Sequence, residues 1–169
     1  MKKTVITYGL ISGAVSAAMM FATVPFLDDI GFDRGAIVGY TAIVLSFLLV
    51  YFGIRSYRDN VGGGRITFGR GFAVGILITL ISCVFYVAAW EIVYFNFMPD
   101  FVEKFTAHAI EKAKAEGASP AALDARMKEM QSFAAMYANP LVNAALTFTE
   151  PFPIGLLVTL ISAGVLRKK

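Results

Sequence analysis

Charge is scarce in this chain. Of 169 residues only 16% are Asp, Glu, Lys or Arg, 57% are hydrophobic, and the mean hydropathy is +0.67. A soluble domain of this length is about a quarter charged, so this composition argues against a soluble globular enzyme and against a disordered chain. Cys83 is the one cysteine and His108 the one histidine. A lone cysteine excludes an intramolecular disulfide framework and a cysteine-rich zinc site. Cys83, deep in an apolar run, reads as an inert small hydrophobe. His108 has no second histidine or cysteine cluster to complete a metal site, and reads as a solvated helix residue. HExxH, Gly-x-Ser-x-Gly and Cys-x-x-Cys are all missing. Gly62-Gly63-Gly64-Arg65 runs into Ile66 rather than Gly-Lys-Ser/Thr, so it is a turn and not a phosphate loop. Nothing supplies a nucleophile with its own base. The expectation is therefore no enzyme, no catalytic residue, no cofactor and no metal. Nucleic acid is excluded as a partner because the net charge of +3 comes from charges sorted loop by loop.

Long apolar runs are what the chain has. A bilayer core about 30 Å thick needs about 20 apolar residues to cross as a helix. Val5 to Val24 and Ala36 to Ile54 are free of charge. Phe72 to Met98 contains only Glu91, and Leu141 to Leu166 contains only Glu150. These predict four spans, at about 5–24, 36–54, 72–98 and 141–166, in a single membrane domain over 1–169. The first run could also be taken for a secretory signal, but about twenty residues exceed the 7–15 typical of a signal's apolar region, so it reads as a retained helix.

The charges orient the spans. Lys2, Lys3, Arg55, Arg58, Arg65, Arg70, Arg167, Lys168 and Lys169 lie at the two termini and in the loop 55–71, against the single acid Asp59. The other side carries six basic and nine acidic residues. Lys and Arg mark the cytoplasmic side, which predicts both termini cytoplasmic.

Residues 100–140 are too polar to cross and read as an extracytoplasmic amphipathic helical hairpin. Phe101, Phe105, Ala109 and Ala113 recur every four residues, with Ile110 widening the stripe. Gly117 stops the first helix, Ser119-Pro120 starts the second, and Asn139-Pro140 ends it. Leu123, Met127, Met130, Ala134 and Tyr137 form the second stripe. Such stripes pack a hairpin onto its own bundle or the membrane interface; a Met-rich stripe would also suit a protein partner docking at 100–140.

Two acids fall inside the bilayer, where ionisable residues are costly and are candidates for function. Glu91 lies seven residues before Met98 and Glu150 nine after Leu141, placing them roughly 10 and 13 Å below the same surface at about 1.5 Å per residue. On adjoining faces they would form a carboxylate pair unable to ionise twice, sharing a proton. Tyr94 and Asn143 would belong to the same intramembrane polar or proton site. Glu150-Pro151-Phe152-Pro153 interrupts the fourth span, freeing carbonyls near Leu146, Thr147 and Thr149. Protonated glutamates that only bond neighbouring helices are the rival explanation.

Gly9-xxx-Gly13, Gly31-xxx-Gly35-xxx-Gly39 and Gly71-xxx-Gly75 have the spacing that lets spanning helices approach, within one chain or in a homo-oligomer. Gly75-Ile-Leu-Ile-Thr-Leu-Ile-Ser82 nearly recurs as Gly155-Leu-Leu-Val-Thr-Leu-Ile-Ser162; in spans of opposite direction this is the pattern of an inverted repeat, though Leu/Ile-rich sequence more often produces such a likeness by chance.

Ile66-Thr67-Phe68-Gly69-Arg70-Gly71-Phe72 leading into Gly75-Ile76-Leu77-Ile78, and Tyr94-Phe95-Asn96-Phe97-Met98-Pro99-Asp100-Phe101, carry a further indication. Through them the chain resembles, over essentially its whole length, an uncharacterised family of bacterial membrane proteins catalogued as domain of unknown function 4199. The resemblance implies a bacterial cytoplasmic (inner) membrane protein of about four spans with a helical insertion before the last. It implies no activity and no site residue. The expectation is an all-α four-helix membrane bundle, non-enzymatic, with an accessory, structural or partner-binding role in the bilayer. The alternative is a small carrier or proton-coupled translocator using Glu91 and Glu150.

Overall fold

Proline and glycine divide the chain where helices must stop. The computed structural model describes residues 1–168 and resolves them into eight α-helices. They are α1 (Lys2–Thr23), α2 (Leu27–Ile30, after a 3-10 turn Val24–Phe26), α3 (Phe32–Asn60), α4 (Phe68–Phe97), α5 (Phe101–Ala115), α6 (Pro120–Tyr137), α7 (Pro140–Phe148) and α8 (Pro151–Leu166). No strand occurs among the described residues, only an isolated antiparallel bridge between Ile66 and Lys168. Four helical stretches are long and apolar enough to cross a membrane: Lys2–Ile30, Phe32–Asn60, Phe68–Phe97 and Pro140–Leu166. Each contains or nearly contains one of the expected spans. α3 extends past both ends of its apolar run, because a helix continues into charged sequence until a breaker such as Gly31 or Gly62 intervenes.

Side-chain contacts set the helix directions. Ser12 Oγ donates to the Ser46 carbonyl at 2.9 Å and Tyr8 packs on Gly53, so α1 and α3 are antiparallel. Gly9 meets Ile81 and Gly13 meets Phe85, so α1 and α4 run parallel. Gly71 meets Ala163 and Gly75 meets Thr159, so α4 and α8 are antiparallel. The starts of α1 and α4 and the ends of α3 and α8 therefore share one end of the bundle. The hairpin α5–α6 and the α2 corner share the other, where Lys104 Nζ bonds Asp28 at 3.0 Å and Lys112 Nζ bonds Asp33 at 3.0 Å.

The seams between spans are built from small residues, since helices without a side chain in the way gain dispersion along their backbones. A methyl on Gly9 would lie 2.9 Å from Ile81, and one on Gly13 2.7 Å from Phe85. The tightest seam unites the two similar octapeptides. Gly75 faces Thr159, Gly155 faces Thr79, and the two threonine hydroxyls bond each other at 3.1 Å. The likeness thus has a structural use: an antiparallel pair of Gly-xxx-Thr motifs, each glycine receiving the other's threonine. Gly31, Gly35 and Gly39 make no such seam. Gly31 takes φ +77° at the α2–α3 corner, Gly39 faces open space, and Gly35 touches only Leu27 of the adjacent short helix.

Around these seams the core holds Val5, Ile43, Phe47, Val50, Ile54, Val74, Ile78 and Cys83. Large apolar side chains such as Ile37, Val84 and Val165 point outward, 67%, 62% and 70% exposed, a surface suited to an apolar surrounding rather than water.

The hairpin closes over the bundle. Ser119 Oγ caps α6 by accepting from Ala122 N–H at 3.3 Å, and Gly117 (φ +80°) turns the chain between the two helices. On α6 the inward stripe is Leu123, Arg126, Met130, Phe133, Ala134 and Tyr137. Met127, expected inward, is 44% exposed. The inward face runs 123–126–130–133/134–137, and three-residue steps bring Arg126 and Phe133 onto it while turning Met127 out. His108 also differs from expectation. It does not stand free in solvent: its ring packs on Phe32 at 5.3 Å, and Nε2 lies 3.5 Å from Asp33.

Candidate functional site

A cavity of about 530 Å³ lies between the hairpin and the ends of the long helices that it covers. Its walls come from α1 and its corner (Ser16, Met20, Leu27), from α3 (Phe32, Gly35, Gly39, Tyr40, Ile43), from α4 (Tyr86, Trp90) and from α7 (Leu146, Thr147, Thr149, Glu150). Its roof comes from Phe101, Phe105, His108, Phe133 and Tyr137 of the hairpin. Gly35 and Gly39 leave room on the α3 wall where side chains would fill it, which explains a glycine ladder that seats no helix.

Glu150 is positioned by the interruption of the fourth span. Pro151 and Pro153 cannot donate to the carbonyls four residues earlier, so α7 ends at Phe148 and α8 begins at Pro151. Of the two carbonyls so freed, that of Thr147 is taken up locally, as is the neighbouring Leu146 carbonyl. Leu146 O accepts from Thr149 N–H at 3.0 Å and from Thr149 Oγ1 at 2.6 Å, and Thr147 O accepts from Glu150 N–H at 3.2 Å. Glu150 stands at this break, exposed within the cavity, and its Oε2 accepts from the Tyr86 hydroxyl at 2.9 Å. Among the described residues no lysine or arginine lines the cavity. The second acid on the wall, Asp33, is engaged by Lys112 and His108, so Glu150 is the acid without a cation.

The roof is an aromatic cluster. Trp90 Nε1 donates to Tyr137 Oη at 2.7 Å. Phe101 meets Trp90 edge-on at 4.9 Å, and Phe133 lies 4.9 Å from Tyr137. Burial pushes the Tyr137 hydroxyl up to about 12, so it remains a neutral donor and acceptor. Outside the roof, Lys104 lies between Asp28 and Asp100. Its hydrogen bonds to them raise its pKa and hold Asp100 below the usual carboxylate value.

Of the four residues expected at an intramembrane polar site, one lines the cavity. Glu150 does. Tyr94 is buried behind the wall, with its ring edge-on to Tyr137 at 5.2 Å. Asn143 is fully buried and acts as a strut: its Nδ2 donates to Tyr137 O at 3.4 Å and its Oδ1 accepts from Thr147 Oγ1 at 3.1 Å. Glu91 is half-buried, off the cavity wall, and its buried Oε1 has no hydrogen-bond partner. No hydrogen bond joins Glu91 to Glu150 among the described residues. Depth arithmetic equates heights but not azimuths. The face of α4 toward the cavity is set by Tyr86 and Trp90, four apart, and the residue after Trp90 is turned about 100° away at 3.6 residues per turn. Sequence reasoning missed Tyr86 and Tyr40; helical spacing from Trp90 was the available signal for Tyr86, and nothing local pointed to Tyr40. Among the described residues no cluster of histidine, cysteine and carboxylates suits a metal ion.

The arrangement is a container of small-molecule size, since ligand cavities run to about 300–1,000 Å³. It has one acid without a cation among the described residues and aromatic faces above and beside it. The family model described as Protein of unknown function (DUF4199) matches residues 7–168 of the chain. No curated protein and no solved structure is significantly similar to it.

Proposed function

The chain belongs to that family, whose description assigns no activity, and from its own geometry we propose a non-enzymatic, ligand-binding protein of the bacterial cytoplasmic membrane. In this reading it crosses the bilayer four times with both termini cytoplasmic, and its outer cavity binds a small organic cation with an apolar body. The observation that carries the reading is Glu150, an acid without a cation at the break of the fourth span, in a cavity walled by Tyr40, Tyr86, Trp90 and Tyr137. Aromatic faces attract ammonium groups, by about 0.5–2 kcal/mol each depending on desolvation. A carboxylate opposite them supplies the countercharge, and the hydrocarbon wall accepts the apolar remainder.

The orientation rests on the nine basic residues against one acid at the end of the bundle that holds both termini. The hairpin is then extracytoplasmic and forms the roof, with its apolar stripes spent on its own spans. A protein partner at residues 100–140 would meet its polar outer face.

Trp90, the one tryptophan, lies in the wall and reports occupancy directly. Titration of the purified protein with benzyltrimethylammonium should change its fluorescence saturably, whereas the uncharged carbon isostere neopentylbenzene should bind far more weakly. Glu150→Gln should weaken the cation by about ten-fold or more, as loss of a charged partner does, with unchanged thermal unfolding. Equal binding of the isostere, or an unaltered titration in Glu150→Gln, refutes the reading.

A carrier is the second reading, favoured by the discontinuous fourth span, since broken helices house the sites of many transporters. It now rests on Glu150 alone rather than on a pair with Glu91. Counterflow of the same cation in proteoliposomes, abolished by Glu150→Gln, separates carriage from binding.

A further inference from the structure

At the opposite end of the bundle the turn 61–67, the start of α4 and the residues after α8 enclose a second pocket, of about 420 Å³. Arg65, Arg70 and Lys168 line it together with Tyr57, Ile66 and Thr67, and no acidic side chain among the described residues does. Arg65 and Arg70 are five residues apart, and Lys168, about a hundred positions away, is brought to them by backbone. Ile66 N–H donates to Lys168 O at 2.9 Å, and Lys168 N–H donates to Ile66 O at 3.0 Å, clamping the tail against the turn. Gly63 and Gly64, at φ +60° and +80°, bend the turn back toward α4, and a side chain at Gly62 would strike the Arg65 carbonyl.

Three like charges held at one pocket repel one another unless an anion answers them. Two other cations at this end are answered: Arg58 bonds Asp59 at 2.7 Å, and Arg55 lies 3.7 Å from the same carboxylate; Lys2, Lys3 and Arg167 make no ion pair among the described residues but do not line this pocket. Among the described residues Arg65, Arg70 and Lys168 make no ion pair. The positive end of the 30-residue helix α4 adds to the same field. Its first turn is capped at Arg70 N–H by Thr67 Oγ1 at 3.3 Å, a bond made within the chain.

We propose that this pocket binds the phosphate group of an anionic membrane lipid. Its level selects that source over free phosphate. α3 leaves its apolar run at Ile54 and α4 enters its own at Phe72, so the pocket lies just beyond the hydrocarbon, where headgroups are. Phe68 and Val61 beside it are 41% and 56% exposed, positioned to meet acyl chains while the cations meet the phosphate. Basic pockets between spans at this level suit such headgroups. The site is independent of the outer cavity and of whichever molecule binds there.

Native mass spectrometry of the full-length protein with equimolar phosphatidylglycerol and phosphatidylcholine tests the proposal. One phosphatidylglycerol should be retained preferentially. Arg65→Gln and Arg70→Gln should each weaken retention about five-fold, and Arg55→Gln should leave it unchanged. Lys168→Gln, which keeps the backbone clamp, should behave like the arginine variants and covers the case in which one of those misfolds. Added inorganic phosphate should not displace the lipid at millimolar concentration. Equal loss in Arg55→Gln would show a diffuse surface effect and overturn the proposal. Retention of the lipid in the Arg65→Gln/Arg70→Gln double variant would also overturn it, and displacement by millimolar phosphate would overturn the lipid as the source.

Discussion

Replacing Gly155 by alanine tests whether the α4–α8 seam holds the bundle together. A methyl there would collide with Thr79 Cγ2 and lie 2.8 Å from Phe47 Cζ and 3.0 Å from Cε1. Phe47 is 1% exposed and Thr79 fully buried, so neither can swing into open space. Overpacking of this kind costs about 1–3 kcal/mol, against a helix-propensity gain of up to about 1 kcal/mol for alanine over glycine. Gly164 provides the control on the same helix, because a methyl there meets nothing within 4 Å and should leave stability unchanged or raise it. The expected separation between Gly155→Ala and Gly164→Ala is about 2 kcal/mol, read as the difference in reversible unfolding free energy in mixed detergent micelles. Thr79→Ser removes the colliding methyl and keeps the hydroxyl bonded to Thr159 at 3.1 Å. In the Gly155→Ala background it should recover part of the loss, with a coupling of about 1 kcal/mol. Recovery is partial because Phe47 still crowds the new methyl. If Gly155→Ala matches Gly164→Ala, or if Thr79→Ser shows no coupling, the seam is not the close contact described.

Three further outcomes follow from the same contacts. Asn143→Ala strands the Tyr137 carbonyl and the Thr147 hydroxyl in a buried site, which should destabilise by about 1–3 kcal/mol and alter Trp90 emission through Tyr137. The Lys104–Asp100 pair that opens the hairpin should be pH-independent across a broad window. Asp100 is lowered from 3.8, so its contribution is lost only as pH falls through that lowered value; Lys104 is raised from 10.5, so its contribution is lost only as pH rises through the raised one. Proteolysis of the 116–119 turn, measured in a His108→Gln background, should be flat between about pH 5 and 9.5 and quicken with salt; a step inside that window contradicts it. Single cysteines at Met127 and Gly63 in a Cys83→Ser chain should label oppositely with an impermeant maleimide in intact cells, Met127 reacting and Gly63 not, and the reverse pattern would invert the proposed topology.

The positions of the helices were legible because their causes are local. Apolar runs of bilayer length, Ser119-Pro120 as a helix start and Pro151 as a break act through residues within one or two turns, so Val5–Val24 lies within α1 but for its last residue, and two helices form within residues 100–140. The polar break at Glu150 was legible for the same reason. Its partner was not. That Tyr86 rather than Glu91 reaches Glu150, that Met127 turns outward while Phe133 joins the roof, and that His108 packs on Phe32 depend on how each helix is rotated about its axis. Rotation is set by seams such as Gly75–Thr159 and Gly155–Thr79, between residues about eighty positions apart.

By itself the sequence determined which segments are helical, which are apolar enough to cross a membrane, and how the charge divides between loops, since backbone hydrogen bonding and hydrophobic length are properties of contiguous chain. Only the tertiary structure decided which faces meet. It left Glu91 off the cavity wall, set Glu150 among aromatic rings with Tyr86 as its partner, and gathered Arg65, Arg70 and Lys168 around one pocket. Those outcomes come from close packing between distant segments, where the fit of a glycine to a threonine fixes the azimuth of every side chain on both helices.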